Sequence, residues 1–419
     1  MLRTIIAFLF ACLALSAQVN TGSISGYVID PSGKTIPGTG VTLEDAARSL
    51  TRSLQTSPAG YYEFDGLPPA EYRLSVNSAS FAQTTKQAVR VEVDQRLRLD
   101  LHTTLAGRGE HIAVTARTPG TNNDSSELGA VLDQSLVEGL PLNERDFLQL
   151  ALLLPGTTTP VQGSQLSTRG DFAMHADGGR EENNNFLLDG VDNNDSDVRG
   201  YVLQPSVDAI QEFKIATNSY SAEYGVAAAG QINIVTRSGG NAFHGTVYDY
   251  LRNRDLDARN FFDGPDKPQF IRNQFGAALG GPIVKNSTFF FASYEGLQEV
   301  EGQTQLGTVP IPAVRGGDLS SLGTAVTDPF TGQPFPNNTI PASRISPYAA
   351  DVLALFPQAN LPGASGNYLG NPIENVKENE GTIRLDHRLS DNSQLTARYN
   401  YGSQNLFEPY AENQTELPG

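Results

Sequence analysis

The 419-residue sequence contains one cysteine, Cys12, and no tryptophan. Cys12 lies inside an apolar N-terminal run, so a chain cleaved after that run would carry no cysteine. Disulfide frameworks and thiolate metal sites need several cysteines, and both are therefore excluded. A bulky Phe10 two residues before Cys12 also argues against a lipoprotein signal.

Positive charge is scarce along the whole chain. The sequence has 29 lysines and arginines against 46 aspartates and glutamates, a net charge of −17. A nucleic-acid binder needs a basic patch that displaces counterions from phosphates. The charge balance therefore disfavours nucleic acid as a partner.

Long apolar runs are also missing after the N-terminus. The run Ile5–Leu15 is too short to cross a bilayer core of about 30 Å as a helix. Arg3 precedes it and the small residues Ser16 and Ala17 follow it, which predicts a secretory signal peptide over residues 1–17 with cleavage after Ala17. An N-terminal anchor or a buried helix is the alternative.

Motifs of catalysis are not found. The five histidines stand singly, and no G-x-S-x-G elbow, H-E-x-x-H pair or phosphate-binding loop occurs. The sequence therefore disfavours an enzyme, and it predicts no metal site and no cofactor.

Residues 20–104 have the texture of a β-sandwich, with short alternating strands separated by Gly, Pro and Asp. The segments GYVIDPSGKTIPGTGVTL, AGYYEFDGLPPAEYRLSV and VEVDQRLRLDLHT resemble the carboxypeptidase regulatory-like domain, a transthyretin-like sandwich of carbohydrate-binding-like fold. The resemblance implies no peptidase activity, because in carboxypeptidases this module accompanies the catalytic domain. His102, its one histidine, has no partner at metal-ligand spacing.

A connector, residues 105–123, follows the sandwich. Its flanks are rich in Gly, Pro and Asn, whereas its middle, His111–Ala116, favours a β-strand. Such a segment can add to the edge of another protein's sheet through main-chain hydrogen bonds. It can equally be a linker or the last strand of the sandwich.

Residues 124–237 mix helix and strand patterns, which indicates an α+β domain. A helix is predicted after the N-cap Asn143, with Phe147, Leu150, Ala151 and Leu154 on one face and Pro155 at its end. Strands are predicted over residues 185–188, 210–217 and 231–237.

The acid-rich stretch NNNFLLDGVDNNDSD, residues 183–197, fits no EF-hand register, because neither a sixth-position glycine nor a twelfth-position glutamate is present. It is interpreted as a buried strand, Phe186–Leu188, that ends in an Asp189-Gly190 turn in which Asp189 bonds its own backbone. Residues Asp192–Asp197 are predicted to form a solvated loop, where an irregular calcium site stays open as an alternative.

Residues 238–419 alternate polar and apolar residues with a period of two. In Thr382–Asn400, the apolar Ile383, Leu385 and Leu389 oppose Arg384, Asp386 and Arg388. Further strands are predicted over residues 246–251, 275–284 and 288–295, and residues 303–381 are predicted to form a long extracellular loop. A membrane barrel and a soluble sheet give similar alternation, but export and the missing apolar helices favour the barrel.

Three blocks carry a second resemblance: STRGDFAMHADGGREENNNFLLDGVDNND, QEFKIATNSYSAEYGVAAAGQINIVTRSGGNAFHGTVYDYLRN and NQFGAALGGPIVKNSTFFFASYEG. Together they resemble the plug and first barrel strands of Oar-like TonB-dependent outer-membrane transporters. The resemblance implies that residues 124–237 form the plug and that residues 238–419 begin a barrel of about 22 strands. The implied plug motif consists of Arg169, Gly170, Phe186, Leu188, Asp189 and Gly190.

In this family the connector would hold the TonB box, a strand that pairs with the periplasmic protein TonB. The implied box consists of Glu110, His111, Ile112, Ala113, Val114, Thr115 and Ala116. Arg169 and Arg180 are expected to pair with acidic barrel residues rather than with an anionic ligand. The implied partners are TonB, outer-membrane lipid and an extracellular glycan, siderophore or peptide.

The resemblance implies a receptor in the outer membrane of a Gram-negative-type bacterium, with the sandwich in the periplasm. Ligand would bind from outside, and TonB would pull on the box to loosen the plug. Only about five barrel strands can be counted before the final ELPG, so the chain is expected to be a fragment that cannot transport by itself. An outer-membrane adhesion or structural protein is the alternative function.

Overall fold

The computed structural model describes residues 20–77, 84–104, 112–114, 127–159, 172–197, 200–222, 224–225, 228–261, 263–390 and 393–409. The expected signal peptide, residues 1–17, lies outside the described residues, as do Arg169 and Gly170. The described residues include no helix that is long and apolar enough to cross a membrane.

Chain contacts divide the protein into two units. The first unit consists of residues 1–247, 276–295 and 380–402, and the second of residues 248–275, 296–379 and 403–419. The first unit begins with nine strands: β1 (Gly22–Ile29), β2 (Gly40–Asp45), β3 (Leu50–Gln55), β4 (Tyr61–Leu67), β5 (Ala70–Asn77), β6 (Thr84–Val91), β7 (Arg96–Arg98), β8 (Leu101–His102) and β9 (Ile112–Val114).

These strands form two sheets, which confirms the predicted β-sandwich. One has the order β4-β1-β7, with β8 also paired to β1, and the other has the order β3-β2-β5-β6-β9. Every second residue of β1 is buried, as expected for strands with one face on a core. Tyr62, Phe64 and Leu74 lie in that core, and the Tyr62 hydroxyl donates to the Leu99 carbonyl oxygen at 2.5 Å.

The middle of the chain, residues 127–237, is called the central domain below. Its elements are β10 (Leu128–Asp133), α1 (Gln134–Gly139), 3-10 turns at Asn143–Arg145 and Phe147–Leu153, β11 (Thr157–Thr158), β12 (His175–Ala176), a 3-10 turn at Glu181–Asn183, β13 (Asn185–Leu188), β14 (Val191–Asp192), a 3-10 turn at Val207–Ala209, β15 (Ile210–Asn218) and β16 (Gln231–Thr236).

Five strands of the central domain form a sheet in the order β10-β15-β16-β13-β14. All residues of β13 and β16 are buried, so these strands are covered on both faces. Phe213 and Ile232 belong to the apolar core, and Phe147 packs edge-on against Phe213 with ring centroids 5.2 Å apart. The predicted strands are therefore present.

The helix predicted after Asn143 is wrong. Residues Asn143–Arg145 and Phe147–Leu153 form two short 3-10 turns, and Asp146 caps the second by accepting from the Leu148 N–H at 2.9 Å. Glu144 has a positive φ of 61°, which interrupts any continuous helix. The predicted apolar face nevertheless holds in part, because Phe147, Leu150 and Ala151 are buried.

The remaining elements are β17 (His244–Asn253), β18 (Phe270–Val284), β19 (Thr288–Gly302), β20 (Gln305–Gly307), α2 (Pro312–Arg315), 3-10 turns at Ser320–Leu322, Pro336–Asn338 and Ala342–Arg344, α3 (Pro347–Leu355), β21 (Tyr368–Gly370), β22 (Ile373–Ser390) and β23 (Ser393–Phe407). The five longest strands form a sheet in the order β17-β18-β19-β22-β23. Among the described residues this sheet does not close into a barrel.

Burial on β22 is inverted relative to the sandwich. Arg384 and Asp386 are buried, whereas Ile383 is 54% and Leu385 43% exposed. A soluble sheet would place the apolar face inward, while a membrane strand turns it toward lipid. The inverted pattern therefore favours the membrane barrel over the soluble sheet.

The long loop predicted over residues 303–381 is partly wrong, since β22 already begins at Ile373 and β20 pairs with β21. Within the second unit, Arg315 orders this region by donating to the carbonyl oxygens of Pro310, Leu353 and Phe356 at 2.8, 2.6 and 3.1 Å. The region thus has its own internal structure.

Candidate functional site

The Asp189-Gly190 turn joins β13 to β14 in the centre of the candidate site. Both residues have positive φ, 48° for Asp189 and 76° for Gly190. An Asp-Gly pair suits such a two-residue hairpin turn, because glycine has no Cβ and aspartate tolerates the left-handed region. The predicted strand and turn are both present.

The Asp189 carboxylate does not bond its own turn, contrary to the interpretation from sequence. It accepts from the Thr236 N–H at 2.7 Å and from the Thr236 hydroxyl at 2.6 Å. Its own N–H donates to the Ile234 carbonyl oxygen at 2.8 Å. Asp189 is therefore fixed against β16, with both carboxylate oxygens held in place.

Two arginines of the long strands meet this carboxylate. Arg398 of β23 forms an ion pair with Asp189, and the Arg384 Nη1 atom lies 3.7 Å from Asp189 Oδ1. Arg384 also donates to the Thr236 carbonyl oxygen at 2.8 Å and pairs with Asp386, Nε to Oδ2, at 3.0 Å. We call Asp189, Thr236, Arg384, Asp386 and Arg398 the latch cluster.

The latch cluster is shielded from water. Side-chain exposure is 19% for Asp189, 10% for Arg384 and 14% for Arg398. Charges removed from water in this way interact strongly, but their desolvation offsets much of the gain. The cluster can therefore fix the position of the central domain against β22 and β23, while the contact between them stays reversible.

A second ion-paired group involves the 3-10 turn that replaced the predicted helix. Arg145 pairs with Asp208, and its Nε atom lies 3.5 Å from Glu295 Oε2 on β19. The Thr246 hydroxyl of β17 donates to Asp208 Oδ1 at 2.7 Å. The central domain thus presents a positive side chain, Arg145, to β19 and a negative side chain, Asp208, to β17.

Sequence reasoning missed these residues because it assigned the pairing role to Arg169 and Arg180. Arg180 is exposed and makes no ion pair with a described residue, and Arg169 lies outside the described residues. The alternation of Arg384 and Asp386 opposite apolar Ile383 and Leu385 was the available signal. Charged residues on the face of a membrane strand that turns away from lipid need charged or polar partners on the segment that packs against that face.

The central domain packs closely against the long strands near this cluster. A cavity lined by Leu188, Leu203, Ser293, Thr382 and Tyr401 has a volume of only about 10 Å³. A single water molecule needs roughly that much accessible volume. This cavity is therefore too small to hold a solute larger than water.

The central sheet also contacts the sandwich through a buried carboxylate on β15. Glu212 of β15 accepts from the Val93 N–H at 2.5 Å, and Arg90 lies 3.2 Å from Glu212 and 3.3 Å from Asp133. Burial raises the pKa of Glu212 to about 7, against the opposing effect of the Val93 N–H and Arg90. The contact is therefore sensitive to protonation near neutral pH.

A neighbouring polar contact strengthens the same junction. The Tyr224 hydroxyl donates to Asp94 Oδ2 at 2.5 Å, and the Asn233 amide donates to the same oxygen at 3.0 Å. The Asn233 amide nitrogen also lies 2.8 Å from Asn20 Oδ1. These bonds tie the turn between β6 and β7 of the sandwich to β16 and to the segment that precedes it.

The implied TonB box lies mostly outside the described residues, which include Ile112, Ala113 and Val114 but not Glu110, His111, Thr115 or Ala116. Strand β9 pairs in parallel with β6, Ile112 opposite Thr84 and Val114 opposite Lys86. It is the last strand of its sheet. This position agrees with the alternative that the segment closes the sandwich, and binding to TonB stays a prediction.

The predicted solvated loop, Asp192–Asp197, is partly ordered by its asparagines. Asn193 is buried and donates to the Leu203 carbonyl oxygen at 2.8 Å, and Asn194 accepts from the Phe186 N–H at 2.9 Å. Asp192 accepts from the Asn194 N–H at 3.0 Å. The amides therefore shape the hairpin, while Asp192 and Asp197 stay exposed.

In the second unit, carboxylate oxygens of Glu299, Glu301 and Glu374 lie within 4.8 Å of one another. Arg272 forms an ion pair with Glu299. An arginine that already neutralises the group weakens its attraction for a divalent cation.

Comparison with known proteins places these features in a family context. Residues 235–418 match the family model of the outer membrane beta barrel domain, and residues 23–104 match that of the carboxypeptidase regulatory-like domain. The TonB-dependent transporter Oar of Myxococcus xanthus is 25% identical over 297 residues, which is 67% of this chain and 27% of Oar.

Solved structures of outer-membrane receptors are similar over most of the chain. The siderophore receptor PirA from Acinetobacter baumannii matches 70% of this chain and 34% of its own, with 16% identity and a TM-score of 0.42. The ferric enterobactin receptor PfeA from Pseudomonas aeruginosa, in complex with enterobactin, matches 70% of this chain and 35% of its own, with 15% identity and a TM-score of 0.42.

The chain spans about a quarter of the length of Oar. The barrel-domain match and the Oar relative agree with the polar inner face and apolar outer face of β22. The chain is therefore an outer-membrane protein related to the TonB-dependent transporter Oar, with a carboxypeptidase regulatory-like domain before its β-barrel domain.

Proposed function

We propose that the central domain acts as the plug of a TonB-dependent receptor that admits an extracellular ligand to the periplasm. The observation that carries this proposal is the latch cluster, in which Asp189 of the central domain meets Arg384 and Arg398 of the long strands. The cluster faces the polar side of β22, where a plug would lie in a barrel lumen. The cavity beside the cluster, about 10 Å³ in volume, supports close packing of the central domain against these strands.

A plug must be held firmly and still be released. Breaking a buried ion pair by removing one partner costs about 3–5 kcal/mol, whereas separating both partners into water returns their hydration. A pull that admits water to Asp189 and Arg398 would therefore meet a smaller barrier than a pull against an apolar core. The charged interface supports a plug that moves without unfolding.

The energy for release would come from TonB through the box Glu110–Ala116. Strand β9, Ile112–Val114, is already extended and lies at the edge of its sheet, a conformation that suits strand addition. No reaction on this chain is required, because the work would be done by the partner. The ligand would be a siderophore, a glycan or a peptide, bound from outside.

TonB binding can be tested by comparing two deletions of equal length. The purified chain is immobilised, and capture of the TonB periplasmic domain is measured by interferometry. Deletion of residues 110–116 should abolish capture, whereas deletion of residues 117–123 in the same connector should leave it intact. Equal capture by both variants would contradict the proposed box.

The same pair of deletions separates transport from adhesion. In cells that produce the protein with its complete barrel, loss of surface attachment after both deletions would favour the adhesion alternative. Growth is also measured on a nutrient whose uptake requires TonB. If this growth is lost only after deletion of residues 110–116, the result would favour the receptor.

A further inference from the structure

The side of the central sheet that meets the sandwich carries buried polar groups. Glu212 and Lys214 alternate along β15 with the core residues Phe213 and Ile215, so they point to the opposite face of the sheet. Asn233 of β16 lies directly across from Lys214 and shares that face. Glu212 is 1%, Lys214 8% and Asn233 3% exposed. One side of the sheet therefore holds an apolar core, whereas the other buries charged and amide groups.

The sandwich reaches these groups with the end of β6 and the turn before β7. The Val93 N–H donates to Glu212 Oε1 at 2.5 Å, and Arg90 Nη2 lies 3.2 Å from Glu212 Oε2. The Asn233 side-chain amide donates to Asp94 Oδ2 at 3.0 Å. We call Arg90, Val93, Asp94, Glu212 and Asn233 the cap junction. Hydrogen bonds and an ion pair hold the sandwich there.

The other contacts of the sandwich with the rest of its unit are polar as well. The Asn241 N–H donates to the Ala47 carbonyl oxygen at 3.0 Å, and the Asn241 side-chain amide donates to the Arg48 carbonyl oxygen at 2.8 Å. Arg388 of β22 donates to the Thr51 carbonyl oxygen at 3.3 Å. Water can replace each of these bonds when the surfaces separate.

No apolar cluster joins the sandwich to the central domain in the part of the chain that the structure describes. The core of the sandwich and the core of the central domain are separate clusters that share no residue. Interfaces between domains of one chain allow relative motion unless they are large and hydrophobic. Asn233 Oδ1 is also buried without a hydrogen-bond partner among the described residues, which costs about 1–3 kcal/mol. Opening the junction would let water satisfy this atom.

We propose that the sandwich is a detachable cap on the central sheet, docked through the cap junction and released as a folded unit. While docked it ties together β10, β15 and β16, because Arg90 also lies 3.3 Å from Asp133 of β10. Residues 115–126 connect β9 to the central domain, so the released sandwich stays covalently attached. Docking and release are properties of this chain and do not depend on the proposed function as a TonB-dependent receptor.

The Glu212 carboxyl makes docking depend on pH. The charged groups around it are Arg90 and Glu92 from the sandwich, Asp133 opposite it on β10, and Lys214, which pairs with Glu127 at 2.7 Å. Burial raises the pKa of Glu212 from 4.5 to about 7, so the docked state binds the proton more tightly than the released state. Docking is therefore strongest in acid and weakens as the pH rises through about 7. For one proton with these two pKa values, the docking constant should fall about 30-fold between pH 5.5 and 8.5.

Double electron–electron resonance between two spin labels on the detergent-solubilised 419-residue chain tests the proposal. Gln55 of β3 and Val191 of β14 are exposed, so Gln55→Cys and Val191→Cys in a Cys12→Ser background carry the labels. One narrow distance is expected at pH 5.5, and a second, broader population should grow at pH 8.5. Near-ultraviolet circular dichroism should be the same at both pH values, because the sandwich leaves as a folded unit.

Three further substitutions in the labelled chain separate the cap junction from general effects of pH. Glu212→Gln fixes the neutral form and should keep the narrow distance at pH 8.5, apart from a smaller response of Glu92, whose pKa burial also raises. Arg90→Gln leaves ionised Glu212 without its cation and should enlarge the broad population at pH 8.5. The control Glu63→Gln, on an exposed face of β4, should respond to pH as the parent does.

Two results would overturn the proposal. The first is a single narrow distance at both pH values in the parent and in Arg90→Gln, which would show that the sandwich is fixed. The second is a broad population at pH 8.5 that Glu212→Gln leaves unchanged or that appears together with a loss of the circular dichroism signal. In that case the change would come from other groups or from unfolding of the sandwich.

Discussion

The sandwich and the long strands use the same period of two for opposite purposes. In the sandwich, Tyr62 and Phe64 are buried and Glu63 between them is exposed. On β22, Arg384 is buried and its apolar neighbours Ile383 and Leu385 are exposed. The difference shows that alternation defines two faces, whereas the surroundings decide which face is covered.

The interactions that hold the sandwich core together also differ from those that hold the central domain against the long strands. The sandwich core is held by apolar area removed from water, a non-directional interaction of about 25 cal/mol per Å². The contact of the central domain with β22 and β23 is held by directional ion pairs such as Asp189 with Arg398. The apolar core of the sandwich is therefore difficult to open in separate steps. The ion pairs of the central domain can be replaced by hydrogen bonds to water.

The largest effect is expected in the sandwich core. Phe64→Ala should destabilise the sandwich by about 3–5 kcal/mol, because it removes a fully buried ring and leaves a cavity. Urea unfolding followed by near-ultraviolet circular dichroism measures the change. Glu63→Ala on the opposite face is the control and should stay within about 0.5 kcal/mol. Similar losses for both variants would remove the distinction between the two faces of β4.

A somewhat smaller loss is expected in the latch cluster. Asp189→Asn should destabilise the contact of the central domain with the long strands by about 2–3 kcal/mol, because it leaves Arg384 and Arg398 without this carboxylate. The loss is smaller than the roughly 3–5 kcal/mol of a fully buried pair, because Asp189 is 19% exposed and an amide oxygen can still accept from the Thr236 N–H. The shift of the urea midpoint for protease resistance of the central domain measures it. Asp197→Asn, an exposed carboxylate of the same region, is the control.

A double-mutant cycle makes that test specific. Combining Asp189→Asn with Arg398→Gln should cost less than the sum of the single changes, because the partners share one interaction. Strictly additive losses would show that the pair contributes no coupling. The contrast with the apolar sandwich would then disappear.

The outer face of β22 should reject charge. Ile383→Lys should cost about 2 kcal/mol in lipid vesicles, because the side chain would be placed in the apolar layer. Folding into vesicles in the presence of urea measures the loss. Glu63→Lys, exposed on the sandwich, should be tolerated within about 0.5 kcal/mol. Equal tolerance at both positions would mean that Ile383 faces water.

The smallest effect is expected for protonation of Glu212. Its pKa is raised from 4.5 to about 7 by burial, so between these values the folded state binds the proton more tightly than the unfolded state. This contribution to stability is complete below about pH 4.5 and is lost as pH rises through about 7. Melting temperature should therefore fall between pH 5.5 and 8, by the equivalent of about 1–2 kcal/mol.

Glu212→Gln isolates this effect, because it fixes the neutral form. The variant should have a shallower pH dependence, with Arg90, Glu92 and Asp133 still present at the junction. Part of the slope should remain, because burial also raises the pKa of Asp146 to about 7. An unchanged slope would assign the pH dependence to other groups.

Much of the local structure could be predicted. The sandwich strands, the strand Phe186–Leu188 and the Asp189-Gly190 turn depend on period and on turn chemistry, which neighbouring residues specify. The helix after Asn143 could not be predicted correctly. Its apolar spacing was real, but the Asp146 cap and the packing of Phe147 on Phe213 favour two 3-10 turns.

The partners of charged residues were the least predictable feature. Asp189 and Arg398 are 209 positions apart, and nothing in either local sequence marks the other. Arg169 and Arg180 were equally plausible candidates by residue type. Only the placement of β13 and β16 against the long strands selects Asp189, because an ion pair needs atoms within about 4 Å.

The sequence by itself determined where the strands and turns lie, which residues share a face, and which side chains carry charge. It could do so because period, turn residues and propensity act between near neighbours. The tertiary structure decided that Arg384 faces inward, that Glu212 is buried beside the sandwich, and that Asp189 meets Arg398. Burial and ion pairing depend on what lies opposite a face, and that is set only when distant segments pack together.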